Sequence, residues 1–137
     1  MFNAEVFGAS ALAFLVAFVL AGLFTVAFKL IYQLVTPYKE SELIRQGNSA
    51  AAVVLGGALL GYVLPLASAL ANTSHVIEFA AWATLAGVIQ IVTFTVVRML
   101  VVRDMAARIE RGEMAPALYL LSISLAVGVL NAACMTY

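Results

Sequence analysis

Long stretches without a formal charge dominate the pattern of apolar and polar positions along the chain. Val6–Phe28 provides 23 consecutive uncharged positions and Phe79–Val97 provides 19. A helix that crosses a bilayer needs about 20 apolar residues at ~1.5 Å rise per residue. Similar apolar stretches cover Ser49–Ala71 and Met114–Tyr137. The pattern therefore predicts an all-α integral membrane protein with four transmembrane helices, in a single membrane domain over residues 1–137.

The segments between these stretches have local signals of their own. Thr36-Pro37 is typical of a helix start, and Gly47 of a helix end, so the first connection is expected to contain a short helix. Asn48 is expected to cap the second spanning helix with its side-chain oxygen. The third spanning helix is expected to continue past the membrane as far as Gly112, because its charges keep a helix-compatible spacing.

Composition supports lipid as the solvent of this chain. Hydrophobic residues make up 65% of the sequence and charged residues 10%, whereas soluble domains average about half apolar and a quarter charged. A soluble domain of this length could not bury so much apolar surface. The bilayer is therefore the first partner that the sequence implies.

The basic residues predict the orientation in the membrane. All seven lie in or beside the first and third connections, and none lies in the N-terminal tail, the second connection or the C-terminus. The positive-inside rule then places both connections in the cytoplasm and both termini in the periplasm of a bacterial inner membrane. The residues concerned are Lys29, Lys39, Arg45, Arg98, Arg103, Arg108 and Arg111.

The two halves of the chain resemble each other weakly. Aligning Gly47 with Gly112 gives an offset of 65 positions, which also pairs Leu55 with Leu120. Each unit would contain an even number of spans, so both would have the same membrane orientation around an axis along the membrane normal. The prediction is two parallel-duplicated helical hairpins, with repeat one at 1–71 and repeat two at 72–137.

A few uncharged polar residues fall at membrane depth. Gln90 lies near the middle of the third span, Asn131 in the outer half of the fourth, and Ser68 in the second. Polar groups in lipid are costly without partners, so interhelical hydrogen bonds are the simpler interpretation. The alternative is that all three line a polar route through the bundle.

Small residues on the second and fourth spans predict close helix packing. Gly57 and Gly61 form a G-x-x-x-G pair, and Gly128 lies on a helical stripe with Asn131. Such spacing lets two helix backbones approach closely, either within one bundle or between copies. A homo-oligomer, most simply a dimer, is therefore expected.

The sequence has little that could support catalysis. It contains one histidine, His75, and one cysteine, Cys134, and it lacks phosphate-binding and dinucleotide-binding motifs. The net charge of zero provides no general attraction for nucleic acid. We therefore expect no enzymatic activity, no cofactor, no metal site and no nucleic-acid partner.

Several short stretches, taken together, are similar to a known family. They are Thr36-Pro37, Glu42-Leu43-Ile44, Leu59-Leu60-Gly61-Tyr62-Val63, Ala81-Trp82, Val88-Ile89-Gln90, Val97-Arg98 and Asn131-Ala132-Ala133-Cys134-Met135-Thr136. Over nearly its whole length the chain resembles the YjfL family of small bacterial inner-membrane proteins. The resemblance implies an inner-membrane location, four spans, two copies of a short repeat and frequent company with phage-shock-type membrane-stress proteins. It implies no catalytic residues.

Two functional hypotheses remain open at this point. The first is a structural or interaction protein that works with envelope or membrane-stress machinery, binding a peripheral protein through its charged cytoplasmic loops. The second is a small channel or transporter with a polar route lined by Gln90, Asn131 and Ser68.

Overall fold

The computed structural model describes residues 1–100 and 104–135, and the described residues are helical with no strands. Six helices follow one another along the chain. They are α1 (Ala4–Val35), α2 (Glu40–Arg45), α3 (Ser49–Asn72), α4 (Val76–Leu100), α5 (Met105–Glu110) and α6 (Met114–Cys134).

The helices α1, α3, α4 and α6 are each long and apolar enough to cross a membrane. This confirms the predicted all-α fold with four helices long and apolar enough to span a membrane. The first of them is longer than its uncharged stretch indicated, because Asn3 caps it by accepting from the backbone N–H groups of Glu5 and Val6. At ~1.5 Å per residue its 32 residues extend about 48 Å, more than the ~30 Å hydrocarbon core.

Helices α3 and α6 form the centre of the bundle and run parallel to each other. Both begin at the end of the bundle where α2 and α5 lie, which we call the loop end. At this end the Asn48 side chain donates to the backbone carbonyls of Ile109, at 2.8 Å, and Glu110, at 3.3 Å. At the opposite end the Ser68 hydroxyl donates to the Ala132 carbonyl at 3.0 Å.

Glycines let α3 and α6 approach to backbone contact. A Cβ atom built on Gly57 would lie 2.9 Å from the Leu121 Cα, and one built on Gly61 would lie 2.5 Å from the Ser124 carbonyl oxygen. A Cβ atom on Gly128 would collide with the carbonyl oxygen of Gly61. These three positions therefore have no room for a side chain.

Aromatic rings attach α1 to the rest of the bundle. The Phe28 ring stacks on Tyr62 of α3 with centroids 4.3 Å apart, and the Tyr32 ring meets Phe94 of α4 edge-on at 4.9 Å. Within α1, all of which is described, Phe28 and Tyr32 are the buried residues. Most of α1 is therefore left for lipid or for another protein to cover.

The connections differ from their predicted form in two ways. α2 begins at Glu40, whereas Thr36 is the C-cap of α1. The third spanning helix does not run on to Gly112, because Asp104 has a left-handed backbone with φ of 56° and a separate helix, α5, follows it. Since an α-helix needs φ near −60°, the helix-compatible spacing of the charges was a misleading signal here.

The bounds of the elements recur with a displacement of 65 positions. α2 spans Glu40–Arg45 and α5 spans Met105–Glu110, so both ends move from 40 to 105 and from 45 to 110. Gly47 and Gly112, which follow these helices, both have positive φ, of 88° and 78°. The starts of α3 and α6, at Ser49 and Met114, show the same displacement.

Candidate functional site

The polar residues predicted at membrane depth each donate a hydrogen bond to the backbone of another helix. The Gln90 amide donates from Nε2 to the Ser124 carbonyl at 3.3 Å, and the Asn131 amide donates from Nδ2 to the Ala86 carbonyl at 3.3 Å. Both side chains are buried. Ser68, as described above, donates to α6 in the same manner.

No hydrogen bond joins Gln90, Asn131 or Ser68 to one another in the described part of the chain. Ser68 instead receives the side-chain amide of Asn72, one turn along α3, at 3.3 Å. The side-chain oxygen of Gln90, Oε1, is buried and accepts no hydrogen bond from the described residues.

Most of the charged side chains gather at the loop end. Arg108 and Arg111 both pair with Glu113, at 3.1 Å and 2.8 Å. Hydrogen bonds from Arg111 and, to a smaller extent, from Arg108 lower the pKa of the Glu113 carboxyl. These groups are solvated, so screening keeps the pairs weak. The predicted loop residue Arg103 lies outside the described residues.

A cleft of about 540 Å³ opens between the C-terminal end of α1 and α2. We call it the loop-end cleft. The exposed side chains of Lys39 and Arg45, predicted as loop residues, lie on its wall together with Glu42. Its remaining lining residues are Gln33, Thr36, Pro37, Tyr38, Glu40 and Ser41. A second cleft of about 330 Å³ extends from Tyr38 to Glu110, so charged groups of both connections border one face.

A buried carboxyl lies beneath α2. Glu40 is only 1% exposed, and neither carboxylate oxygen has a hydrogen bond of full geometry. The hydroxyls of Tyr32 and Tyr38 lie close enough to act on it as donors, although these contacts also fall short of that geometry. Burial raises the pKa of Glu40 to about 7, against smaller lowering effects of the two tyrosines and of the charges on Arg98 and Lys29.

The neighbouring groups of Glu40 are held by other contacts. The Arg98 guanidinium donates to the Val35 carbonyl at 3.4 Å and lies 5.9 Å from the centroid of the Phe94 ring. In the described residues, no ion pair joins Glu40 to Arg98 or to Lys29. Burial and the nearby Glu40 charge raise the pKa of the Tyr38 phenol above its ordinary value, so it remains protonated.

Sequence reasoning missed Glu40, although one signal for it was present. Glu40 precedes Leu43 and Ile44 by three and four positions, so the three side chains share one face of α2. Leu43 and Ile44 pack against the core, and Glu40 is turned the same way. An acidic residue on the apolar face of a short helix marks it as a candidate, but whether that face is buried depends on the rest of the fold.

Asn48 links the two connections at this end. Its Oδ1 accepts the backbone N–H of Ala51 at 3.0 Å, which confirms the predicted N-cap of α3. Its Nδ2 group donates to the carbonyls that end α5, as described above. One side chain thus fixes the start of α3 against the end of α5.

The arrangement is suited to binding and packing. Within residues 1–100 and 104–135, no three His, Cys, Asp or Glu side chains are grouped closely enough to hold a metal ion. Glu40 is a group that can exchange a proton near neutral pH, and the charged side chains of the loop-end cleft can attract a charged partner.

Comparison with known proteins gives one consistent result. The family model described as Domain of Unknown Function (DUF350) matches residues 5–135. The UPF0719 inner membrane protein YjfL of Escherichia coli (strain K12) is 38% identical over 128 residues, which cover 93% of this chain and 96% of that protein. The protein of the same name from Escherichia coli O157:H7 has the same identity and coverage. No solved structure matches.

Proposed function

Since the chain belongs to the DUF350 family, we propose that it is a non-enzymatic inner-membrane protein that binds a peripheral protein at its loop end. The binding face comprises the loop-end cleft and the basic side chains of both connections. The partner we propose is a component of envelope or membrane-stress machinery, as the resemblance to the YjfL family implies.

The distribution of the polar groups carries this proposal. Within the spans, the side chains of Gln90, Asn131 and Ser68 donate hydrogen bonds to backbone carbonyls of other helices, so they link neighbouring helices. At the loop end, Lys39 and Arg45 remain exposed on the wall of a cleft. Groups that are available to a partner are therefore concentrated outside the apolar part of the bundle.

The proposal also assigns an orientation and an assembly. The basic residues favour a cytoplasmic loop end with both termini in the periplasm. The recurrence of element bounds at 65 positions supports a duplicated hairpin. Gly56 of α3 meets nothing within 4 Å of an added Cβ atom. Together with the exposed length of α1, this supports a homodimer in which a second copy covers part of the apolar surface.

Site-specific photocrosslinking in living cells tests the partner. A photoreactive residue at Glu42, beside the cleft, should give a discrete adduct with a peripheral membrane-stress protein. The same residue at Ser74, in the connection at the opposite end, is the matched control and should give none. The double charge reversal Lys39→Glu with Arg45→Glu should abolish the adduct at Glu42. An adduct that survives the reversal, or equal adducts from both positions, would refute this proposal.

A second candidate function, a small channel or transporter, rests on one observation. Gln90 Oε1 is a buried acceptor without a hydrogen bond, so it could face a passing polar solute at membrane depth. Flux of small ions and polar solutes into liposomes that contain the purified protein tests it. This function requires flux that falls in the Gln90→Leu and Asn131→Leu variants, and unchanged flux in both would exclude it.

A further inference from the structure

The two short helices of the loop end share their length, a glycine of positive φ after the helix and a buried first residue, but they differ in the chemistry of that first residue. α2 and α5 both have six residues, and both are followed by a glycine of positive φ. Glu40 opens α2 and is 1% exposed, while Met105 opens α5 and is 3% exposed. A thioether satisfies the same buried position in α5, so the fold of such a helix does not require a carboxyl there.

A buried carboxyl with unfilled oxygens is costly when charged and far less costly when protonated. Both oxygens of Glu40 lack a full hydrogen bond, and Arg98 is already engaged with Val35 and Phe94. The groups that face Glu40 are Lys29 and Tyr32 from α1, Tyr38 from the connection and Arg98 from α4. None of the four forms a salt bridge with Glu40 in the described residues.

We propose that Glu40, with the hydroxyls of Tyr32 and Tyr38, forms a proton-binding site that fastens α2 to the bundle when the carboxyl is protonated and releases α2 when it ionises. Release carries the carboxylate into water and opens the loop-end cleft. The inference does not depend on the partner proposed above, since it concerns α2 alone.

The direction of the pH effect follows from the raised pKa of Glu40. Docking of α2 is strongest below the usual carboxyl pKa of about 4.5 and weakens as pH rises through about 7. Between pH 6 and pH 8 the equilibrium constant for docking of α2 should fall about tenfold. It falls about tenfold for each pH unit below the folded pKa and changes little above that pKa, so most of the fall occurs between pH 6 and pH 7.

Hydrogen exchange of the full chain in lipid nanodiscs measures this directly. Exchange rates are corrected for the intrinsic effect of pH, and protection is compared in peptides from α2 and α5. Protection of α2 should fall about tenfold from pH 6 to pH 8. Protection of α5, which has Met105 at the equivalent position, should stay constant and serves as a control within the same molecule.

Variants separate the proton site from a general loosening of the loop. Glu40→Gln and Glu40→Met should keep α2 protected at every pH, at no less than the level that the unaltered chain shows at pH 6, because docking is strongest when the side chain is neutral. Glu42→Gln, at the exposed acid of the same helix, should keep the full pH dependence. Tyr38→Phe removes a group that lowers the pKa of Glu40, so the midpoint of release should move to higher pH.

Several results would overturn the proposal. Constant α2 protection in the unaltered chain between pH 6 and pH 8 would do so, as would an equal slope in α5. Protection that rises with pH would show that Arg98 swings over to pair with the carboxylate instead. If the Glu40 variants fail to fold, the pH series of the unaltered chain and of Tyr38→Phe still decides, because a purely structural tyrosine would lower protection at all pH values without moving the midpoint.

Discussion

Helices α3 and α6 meet through glycines, whereas α1 meets its neighbours through aromatic rings. In the first interface Gly57, Gly61 and Gly128 bring the backbones together. In the second the rings of Phe28 and Tyr62 stack with centroids 4.3 Å apart, and most of α1 is exposed within the chain. Lipid tails are as apolar as side chains, so neither interface is held by the hydrophobic effect. Close packing and hydrogen bonds must hold both, and a centre without spare volume should be far more sensitive to substitution than an edge.

The largest effect is expected at the centre. Gly128→Leu should destabilise the bundle by about 3 kcal/mol or more, because its side chain would have to displace the Gly61 backbone. Loss of the folded fraction in detergent, followed by size-exclusion fluorescence over a denaturant series, measures it. Gly56→Ala is the matched control, since an added Cβ atom there meets nothing within 4 Å. A Gly128→Leu chain as stable as the control would show that α3 and α6 are not in backbone contact.

A smaller effect is expected at the aromatic attachment of α1. Phe28→Ala should cost about 1 kcal/mol, because an aromatic pair contributes about 0.5–1.5 kcal/mol and the hydrophobic share is absent in lipid. Leu23→Ala, at a side chain that is 62% exposed within the chain, should leave stability unchanged. The same denaturant series applies. Equal losses from both variants would mean that lipid contact rather than stacking holds α1.

Loss of an interhelical amide should lower the free energy of unfolding by less than a substitution at Gly128, and by about as much as loss of the Phe28 ring. Gln90→Leu should cost at most about 0.6–2 kcal/mol, the range for interhelical hydrogen bonds in membranes. The net loss should lie at the low end, because leucine also removes the unpartnered Oε1 atom. Thr84→Val is a suitable control, since the exposed Thr84 hydroxyl donates to the Ala80 carbonyl within its own helix.

The smallest effect is expected at the ion pairs of the loop end. Arg111→Gln should leave the midpoint of unfolding unchanged, because the Arg111 side chain is 64% exposed and the pair is screened by solvent. It should, however, move the pKa of Glu113 up towards its usual value, which an NMR titration of the carboxyl carbon would detect. Any contribution of this carboxyl to stability is present at neutral pH and is lost as pH falls through its lowered pKa.

The sequence predicted the features of this molecule that depend on short stretches of chain. Uncharged runs located the four spans, and Asn48 was correctly assigned as the cap of α3. The start of α2 and the extension of the third span were wrong. Asp104 shows why the second was wrong: a residue of left-handed conformation cannot lie inside an α-helix, and nothing in the surrounding charge pattern indicates that conformation.

The buried carboxyl of Glu40 could not be obtained in the same way, because its burial depends on distant parts of the chain. Tyr32 of α1 and Arg98 of α4 surround it, and they lie 8 and 58 positions away in the sequence. The spacing of Glu40, Leu43 and Ile44 shows that they share a face of α2. It does not show that this face points into the bundle. The cleft and its charges likewise arise only when both connections come together.

The parallel pairing of α3 with α6 also determines when the two helices can pack during synthesis of the chain. A chain that is synthesised from its N-terminus places α3 in the membrane before α6 exists. The starts of the two helices, Ser49 and Met114, are 65 positions apart, which at about 5–20 residues per second is a delay of roughly 3–13 seconds. During this interval Gly57 and Gly61 have no α6 backbone to pack against, and the Nδ2 group of Asn48 has no carbonyl of α5 to bind. The first half of a nascent chain thus exposes a helix surface that the second half of the same molecule later covers.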